Sequence, residues 1–147
     1  MSEPTAAKVL IADDRIQGVE LLEAYLAATP YETRTAADGA ETLRVAQEWK
    51  PDVILLDVMM PRMSGFEVCM RLRADPATAG IAVLMITALD QPSDVEKAVE
   101  AGTDDFLTKP VNKAELLLRV KALLRSRELA SEPGRTISYM EAVQQPS

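Results

Sequence analysis

At 147 residues the chain is long enough for one domain with a full hydrophobic core and about twenty residues beyond it. Its 16 basic against 23 acidic residues give a net charge of -7, which argues against a nucleic-acid footprint, and with no histidine it has neither histidine acid–base chemistry nor histidine metal ligation. The single Cys69 cannot form an internal disulfide, no stretch has a signal peptide's layout and no apolar run reaches membrane-span length, so a soluble cytoplasmic protein is expected.

Residues 1–7 read as a leader. Lys8 to Ala12 (K-V-L-I-A) has the length and composition of a buried strand, and it ends on the acidic pair Asp13-Asp14. A helical pattern follows, with Ile16, Val19, Leu22 and Leu26 on one face and Pro30 closing it. Tyr31 to Ala36 alternates weakly, as an edge strand would. Four later segments open alike: Asp38-x-x-Glu41, Ser64-x-x-Glu67, Ser93-x-x-Glu96 and Asn112-x-x-Glu115. Each fits a capping box, in which two side chains satisfy free N–H groups of a helix's first turn. Helices are therefore predicted over 38–49, 64–73, 92–101 and 112–130, with Gly102 ending the third in a left-handed cap.

Between these helices fall three further strands. Val53 to Leu56 runs straight into Asp57, bounded by Pro51 on one side and by Pro61 and Gly65 on the other, which is too tight for a helix. Ile81 to Ile86 and the short Asp105 to Thr108 complete the set. Strands alternating with helices imply right-handed crossovers and a parallel sheet. The expected fold is α/β and flavodoxin-like: a five-stranded parallel sheet of order 2-1-3-4-5 with five flanking helices. The predicted layout is a leader at 1–7, a domain at 8–130 and a tail or linker at 131–147, where the alternation is lost and Pro133-Gly134 stops the last helix.

The polar residues then converge. Asp13 and Asp14 follow the first strand, Asp57 ends the third, Thr87 the fourth and Lys109 the fifth, and in a parallel sheet those ends share one edge. Three carboxylates packed together repel, and Mg²⁺, which prefers hard oxygen ligands, is the natural remedy. Asp14 and Asp57 are expected as direct ligands, Asp13 directly or through water, with a backbone carbonyl near Met59 completing the protein's share. Screened in this way, the Asp57 carboxylate is able to attack an electrophilic phosphorus, with Lys109 and Thr87 contacting the phosphoryl oxygens.

The motifs A-D-D at 12–14, L-L-D-V-M-M-P-x-M-S-G at 55–65, I-T-A at 86–88 and D-F-L-T-K-P at 105–110 strongly resemble those of response-regulator receiver domains, the phosphoacceptor half of bacterial two-component signalling. The resemblance runs from about Lys8 to Arg127. It implies that Asp57 takes a phosphoryl group from a histidine kinase or phosphotransfer protein, that Asp13 and Asp14 hold Mg²⁺, and that Thr87 and Lys109 contact the phosphoryl group. It implies that Phe106 is a switch aromatic that turns inward as Thr87 moves, unless it is simply a core side chain in the resting state. It also implies a cis Lys109-Pro110 peptide. Such a chain is a signalling switch that assists its own phosphorylation and dephosphorylation, not an enzyme in the ordinary sense.

The Asp57 loop with F-E-V-C and I-T-A-L-D looks most like receivers attached to diguanylate cyclases or hybrid kinases, although Gly18 stands where many of that subgroup carry Asn. Met59 and Leu89 resemble the family's tuners of dephosphorylation. Phosphorylation is expected to reshape the surface of the fourth helix, fifth strand and fifth helix, toward an output domain or partner protein. A full switch needs about 5.5 kcal/mol, which a few charge-assisted hydrogen bonds could supply. Asp94, Glu96, Glu100 and Asp104 near the fourth helix, against Lys113, Arg119, Lys121 and Arg125 on the fifth, suggest a weak two-fold homodimer as one reading and two solvated faces as the other. Leu124 and Leu129 also fit a coiled-coil lead into an output domain.

Three rivals are weighed on the residues. A haloacid-dehalogenase-like phosphatase would carry a second Asp where Met59 stands. An FMN binder would have a phosphate loop rich in Ser, Thr and Gly in place of D-D-R-I-Q-G. A degenerate receiver would lack one of the acids, the Thr or the Lys, and here none is missing.

Overall fold

The computed structural model describes residues 6–88 and 91–128. These form strands and helices in strict alternation: β1 (Lys8–Ala12), α1 (Ile16–Leu26), β2 (Glu32–Ala36), α2 (Gly39–Trp49), β3 (Val53–Asp57), α3 (Gly65–Ala74), β4 (Ala82–Thr87), α4 (Pro92–Ala101), β5 (Asp105–Thr108) and α5 (Lys113–Glu128). All strand pairs are parallel and the order is β2-β1-β3-β4-β5, as the sequence predicts.

Period-two alternation sends successive strand residues to opposite faces. Leu10, Ile54, Leu56, Val83 and Met85 pack against α2, α3 and α4 through Ala46, Val68, Leu72 and Ala98. Val9, Ile11, Val53, Leu55, Leu84 and Ile86 pack against α1 and α5 through Leu22, Leu26, Leu116 and Val120. The central strands are therefore covered on both sides, which explains their unbroken apolar runs. Each large aliphatic side chain buried this way contributes about 1.5–3 kcal/mol.

Three of the four predicted N-caps form, though at Asp38 the Glu41 carboxylate accepts from the Ala37 N–H and not from that of Asp38. Asp38 accepts from the Glu41 N–H at 2.8 Å, and Asn112 accepts from the Glu115 N–H at 2.9 Å. Ser64 accepts from the Glu67 N–H at 3.3 Å, but the Glu67 carboxylate pairs with Arg71 and does not complete a box. The Ser93–Glu96 box does not form: the helix covers 92–101 as predicted, but its N-cap is Gln91, two residues before Ser93, and Asp94 accepts from the Gln91 N–H at 3.1 Å. Proline needs no hydrogen-bond partner for its nitrogen, so it fits the first helical position and moves the cap to Gln91. In α1, Ile16 is 66% exposed and not part of the buried face, because that face begins only with Val19 and Leu22. The helix also stops at Leu26, ahead of Pro30, where the N–H and hydroxyl of Thr29 both donate to the Leu26 carbonyl.

Two contacts brace the edge of the sheet where the strands begin. Lys8 and Arg34 both stack on the Trp49 ring, their charged groups 5.5 and 4.7 Å from its centroid, and Lys8 Nζ also donates to the Trp49 carbonyl at 3.1 Å. Arg73 of α3 donates to the carbonyls of Gly102, Ala79 and Ile81 and pairs with Asp104 at 2.7 Å. Gly102 caps α4 at φ 95°, as predicted, against the Arg73 stem. Among the described residues no helix is long and apolar enough to cross a membrane. The predicted tail at 131–147, Leu129 and most of the 1–7 leader lie outside the described residues.

Candidate functional site

At the opposite edge the strand ends bring the predicted polar residues together. β1 pairs with β3 so that Ala12 stands beside Leu56, and the next residue on each strand is an aspartate, Asp13 and Asp57. Asp13 is held by its own N–H donating to the Ala36 carbonyl at 3.1 Å, while its Oδ1 accepts from the Arg15 N–H at 2.9 Å. Asp14, beside it, is exposed. One carboxylate oxygen from each of Asp13, Asp14 and Asp57 lies within 4.8 Å of the others.

Asp57 is 4% exposed, and its Oδ1 accepts from the Met59 N–H at 3.3 Å and lies 3.6 Å from Lys109 Nζ. Its Oδ2 is buried with no hydrogen-bond partner. Burial pushes the Asp57 pKa up, and the neighbouring Asp13 charge adds to the rise, while Lys109 and the Met59 N–H oppose it. A buried carboxylate oxygen without a donor, on a residue clustered with two more carboxylates, suits a hard cation. The three acids fit Mg²⁺, a hard cation that takes carboxylate oxygens.

Thr87 ends β4 fully buried, one residue beyond Ile86, which pairs with Asp57. The Lys109 N–H donates to the Thr87 carbonyl at 2.8 Å, tying the β5 exit to that strand, and the Lys109-Pro110 peptide is cis. Phe106 pairs with Met85 across β4–β5 and is half-buried against the α2–α4 side of the core. Met59 is exposed at the mouth, and Leu89 lies outside the described residues. A cavity of about 300 Å³ extends from Asp13 and Asp57 between α1 and Pro110, walled by Leu21, Tyr25 and Val111.

Sequence reasoning missed two glycines of the site. Gly65 reads as a mere boundary of the Asp57 strand, yet the loop folds back so closely that a Cβ there would lie 2.6 Å from the Asp57 carbonyl oxygen. The Gly65 N–H donates to the Val58 carbonyl at 2.9 Å and fixes that approach. Gly18 reads only as a departure from relatives; in the structure it faces the Asp13 carboxylate. Neither contact has a local signal, since both depend on tertiary distance.

Comparison with known proteins gives a consistent result. Residues 9–121 match the family described as the response regulator receiver domain. The response regulator PleD of Caulobacter vibrioides is 47% identical over 127 residues, covering 86% of this chain and 28% of PleD. The DNA-binding dual master transcriptional regulator RpaA of Synechocystis is 44% identical, covering 80% of this chain and 49% of RpaA. The chain thus spans between about a quarter and a half of these curated relatives. Among solved structures, the signal receiver domain of a signal transduction histidine kinase from Syntrophus aciditrophicus superposes with a TM-score of 0.76 at 38% identity, covering 82% of this chain and 91% of that one.

Proposed function

Because this chain belongs to the response regulator receiver family, we propose that Asp57 is the phosphoacceptor of a Mg²⁺-dependent switch in a cytoplasmic two-component phosphorelay. The phosphoryl donor is the phosphohistidine of a sensor kinase or phosphotransfer protein. Asp57 forms a P–O bond as the donor's P–N bond breaks, and the electron pair stays on the imidazole nitrogen. Asp13, Asp14, Asp57 and the Met59 carbonyl would hold Mg²⁺, which would supply neutralisation of the charge gathered at the acceptor. Lys109 and the Thr87 hydroxyl contact the phosphoryl oxygens, and Met59 tunes access of water to the acyl phosphate.

The observation that carries this reading is the partnerless Oδ2 of Asp57, buried beside two carboxylates and with Lys109 3.6 Å from the other oxygen. That arrangement is costly for a resting surface acid and suited to a group that receives metal and phosphate. A phosphoryl group brings about -1.5 to -2 of charge to this point. Thr87 is then drawn toward it, and the half-buried Phe106 turns into the space released, changing the surface of α4, β5 and α5. Residues 8–130 act as the receiver module, with 131–147 as tail or linker.

Similarity to PleD and to the receiver of a histidine kinase supports a module like those joined to cyclases or hybrid kinases. The 44% identity to DNA-binding RpaA shows that receiver likeness does not by itself select the output. Incubation with acetyl phosphate and Mg²⁺, read by intact mass, tests the site. The parent is expected to gain one phosphoryl group and Asp57→Asn none. Equal uptake by the variant would refute the assignment.

A further inference from the structure

We propose that Gly18 is a positioning residue for Asp13, giving its carboxylate a resting place against α1 and thereby holding Mg²⁺ affinity down. The proposal rests on the Mg²⁺ reading of the three acids and adds a determinant of how tightly they bind. An ideal Cβ built on Gly18 would overlap Asp13 Oδ2 and would lie 3.0 Å from its Cγ. The carboxylate therefore occupies volume that any other residue at position 18 would fill. The opposite oxygen, Oδ1, is held by the Arg15 N–H at 2.9 Å, so the group spans from the start of α1 to its first turn.

The helix is the less yielding partner in that contact. Leu22 and Leu26 anchor α1 in the core, and the Val19 N–H donates to the Arg15 carbonyl at 3.1 Å. A methyl at position 18 therefore displaces the carboxylate and leaves the backbone in place. Turned from α1, the Asp13 carboxylate moves toward Asp57 and Asp14, whose oxygens already lie within 4.8 Å of one of its own. Without metal this raises the repulsion among like charges; with a divalent cation it brings a third ligand closer. Gly18 thus favours the metal-free state over the loaded one.

Gly18→Ala separates this from ordinary helix effects. Alanine is the better helix former, but that gain applies equally with and without metal and cancels from the affinity. Titration of Mg²⁺ by calorimetry is expected to show the variant binding roughly tenfold more tightly than the parent, in the range by which groups supporting metal ligands alter affinity. Affinity equal to or weaker than the parent's would overturn the proposal, whereas a parent that binds no Mg²⁺ would instead overturn the underlying reading of the site. The same substitution made on an Asp13→Ala chain, where no carboxylate contacts position 18, is expected to leave that chain's Mg²⁺ affinity unchanged. A shift of the same factor there would show that Gly18 does not act through Asp13. Melting in chelator, with far-ultraviolet circular dichroism as the check on folding, supplies a second readout. Gly18→Ala is expected to gain more melting temperature from added Mg²⁺ than the parent does, and an equal gain would count against the proposal.

Discussion

With burial and the Asp13 charge both raising the pKa of Asp57, its ionised form is the costly one in the metal-free chain. Because the folded pKa lies above the unfolded one, the associated stability is fully present below the ordinary carboxylate value of about 4 and is lost as pH rises through the raised value. Asp57→Asn never ionises, so at neutral pH it is expected to be more stable than the parent in chelator by about 1–2 kcal/mol. Urea unfolding across pH reads this directly: the gap should close on acidification, and a parent as stable as the variant at neutral pH would contradict it. The placement of Asp13, Asp14, Asp57 and Thr87 at one edge was legible because apolar strand runs lead into them, whereas Lys109 follows the short D-F-L-T strand and was placed by the alternation of strands and helices around it. The close approaches at Gly65 and Gly18 were not legible, because nothing local in M-S-G or I-Q-G reports a carbonyl or carboxylate brought in from another strand.

Between elements, Arg73 does the work of several caps. Its guanidinium satisfies carbonyls at the end of α4 and on the approach to β4, and it shares Asp104 with the Val83 N–H, which donates to the same Oδ2 at 2.8 Å. Arg73→Ala leaves these groups without their donor and is expected to cost about 2–4 kcal/mol in urea unfolding. Mg²⁺ binding at the other edge of the sheet should survive under native conditions; a cost below about 0.5 kcal/mol, typical of ordinary surface changes, would show that the brace is dispensable. The ends of α2 and α5 were readable from Asp38 and Asn112, whose side chains meet the expected N–H groups. Ser93 misled because Pro92 takes the first helical position, and Ile16 misled because apolar spacing alone does not say where a helix first touches the core.

At the scale of the whole molecule, the strand order follows from alternation, handedness and the two-sided burial of β1, β3 and β4, all of which the sequence pattern carries. The two-fold association that the sequence leaves open beside two solvated faces draws on fewer charges than the sequence suggests. Asp104 is engaged by Arg73, and Arg119 pairs with Asp105 at 3.1 Å and Glu115 at 3.5 Å. Exposed Glu96 and Glu100 on α4 and Lys113, Lys121 and Arg125 on α5 remain for contacts between copies. Sedimentation with beryllofluoride and Mg²⁺ is expected to show a weak, salt-sensitive dimer absent from the untreated protein; a monomer at all concentrations would remove it. The stacked Trp49 has a practical bearing on all such work. It is the chain's sole indole and sits beside Lys8 at the start of β1, roughly 13 Å of strand from Ala12 at the acidic end. Its emission is therefore insulated from direct quenching by whatever occupies the pocket, so that a spectral change on loading would report movement transmitted through the sheet, and a silent titration would say nothing about occupancy.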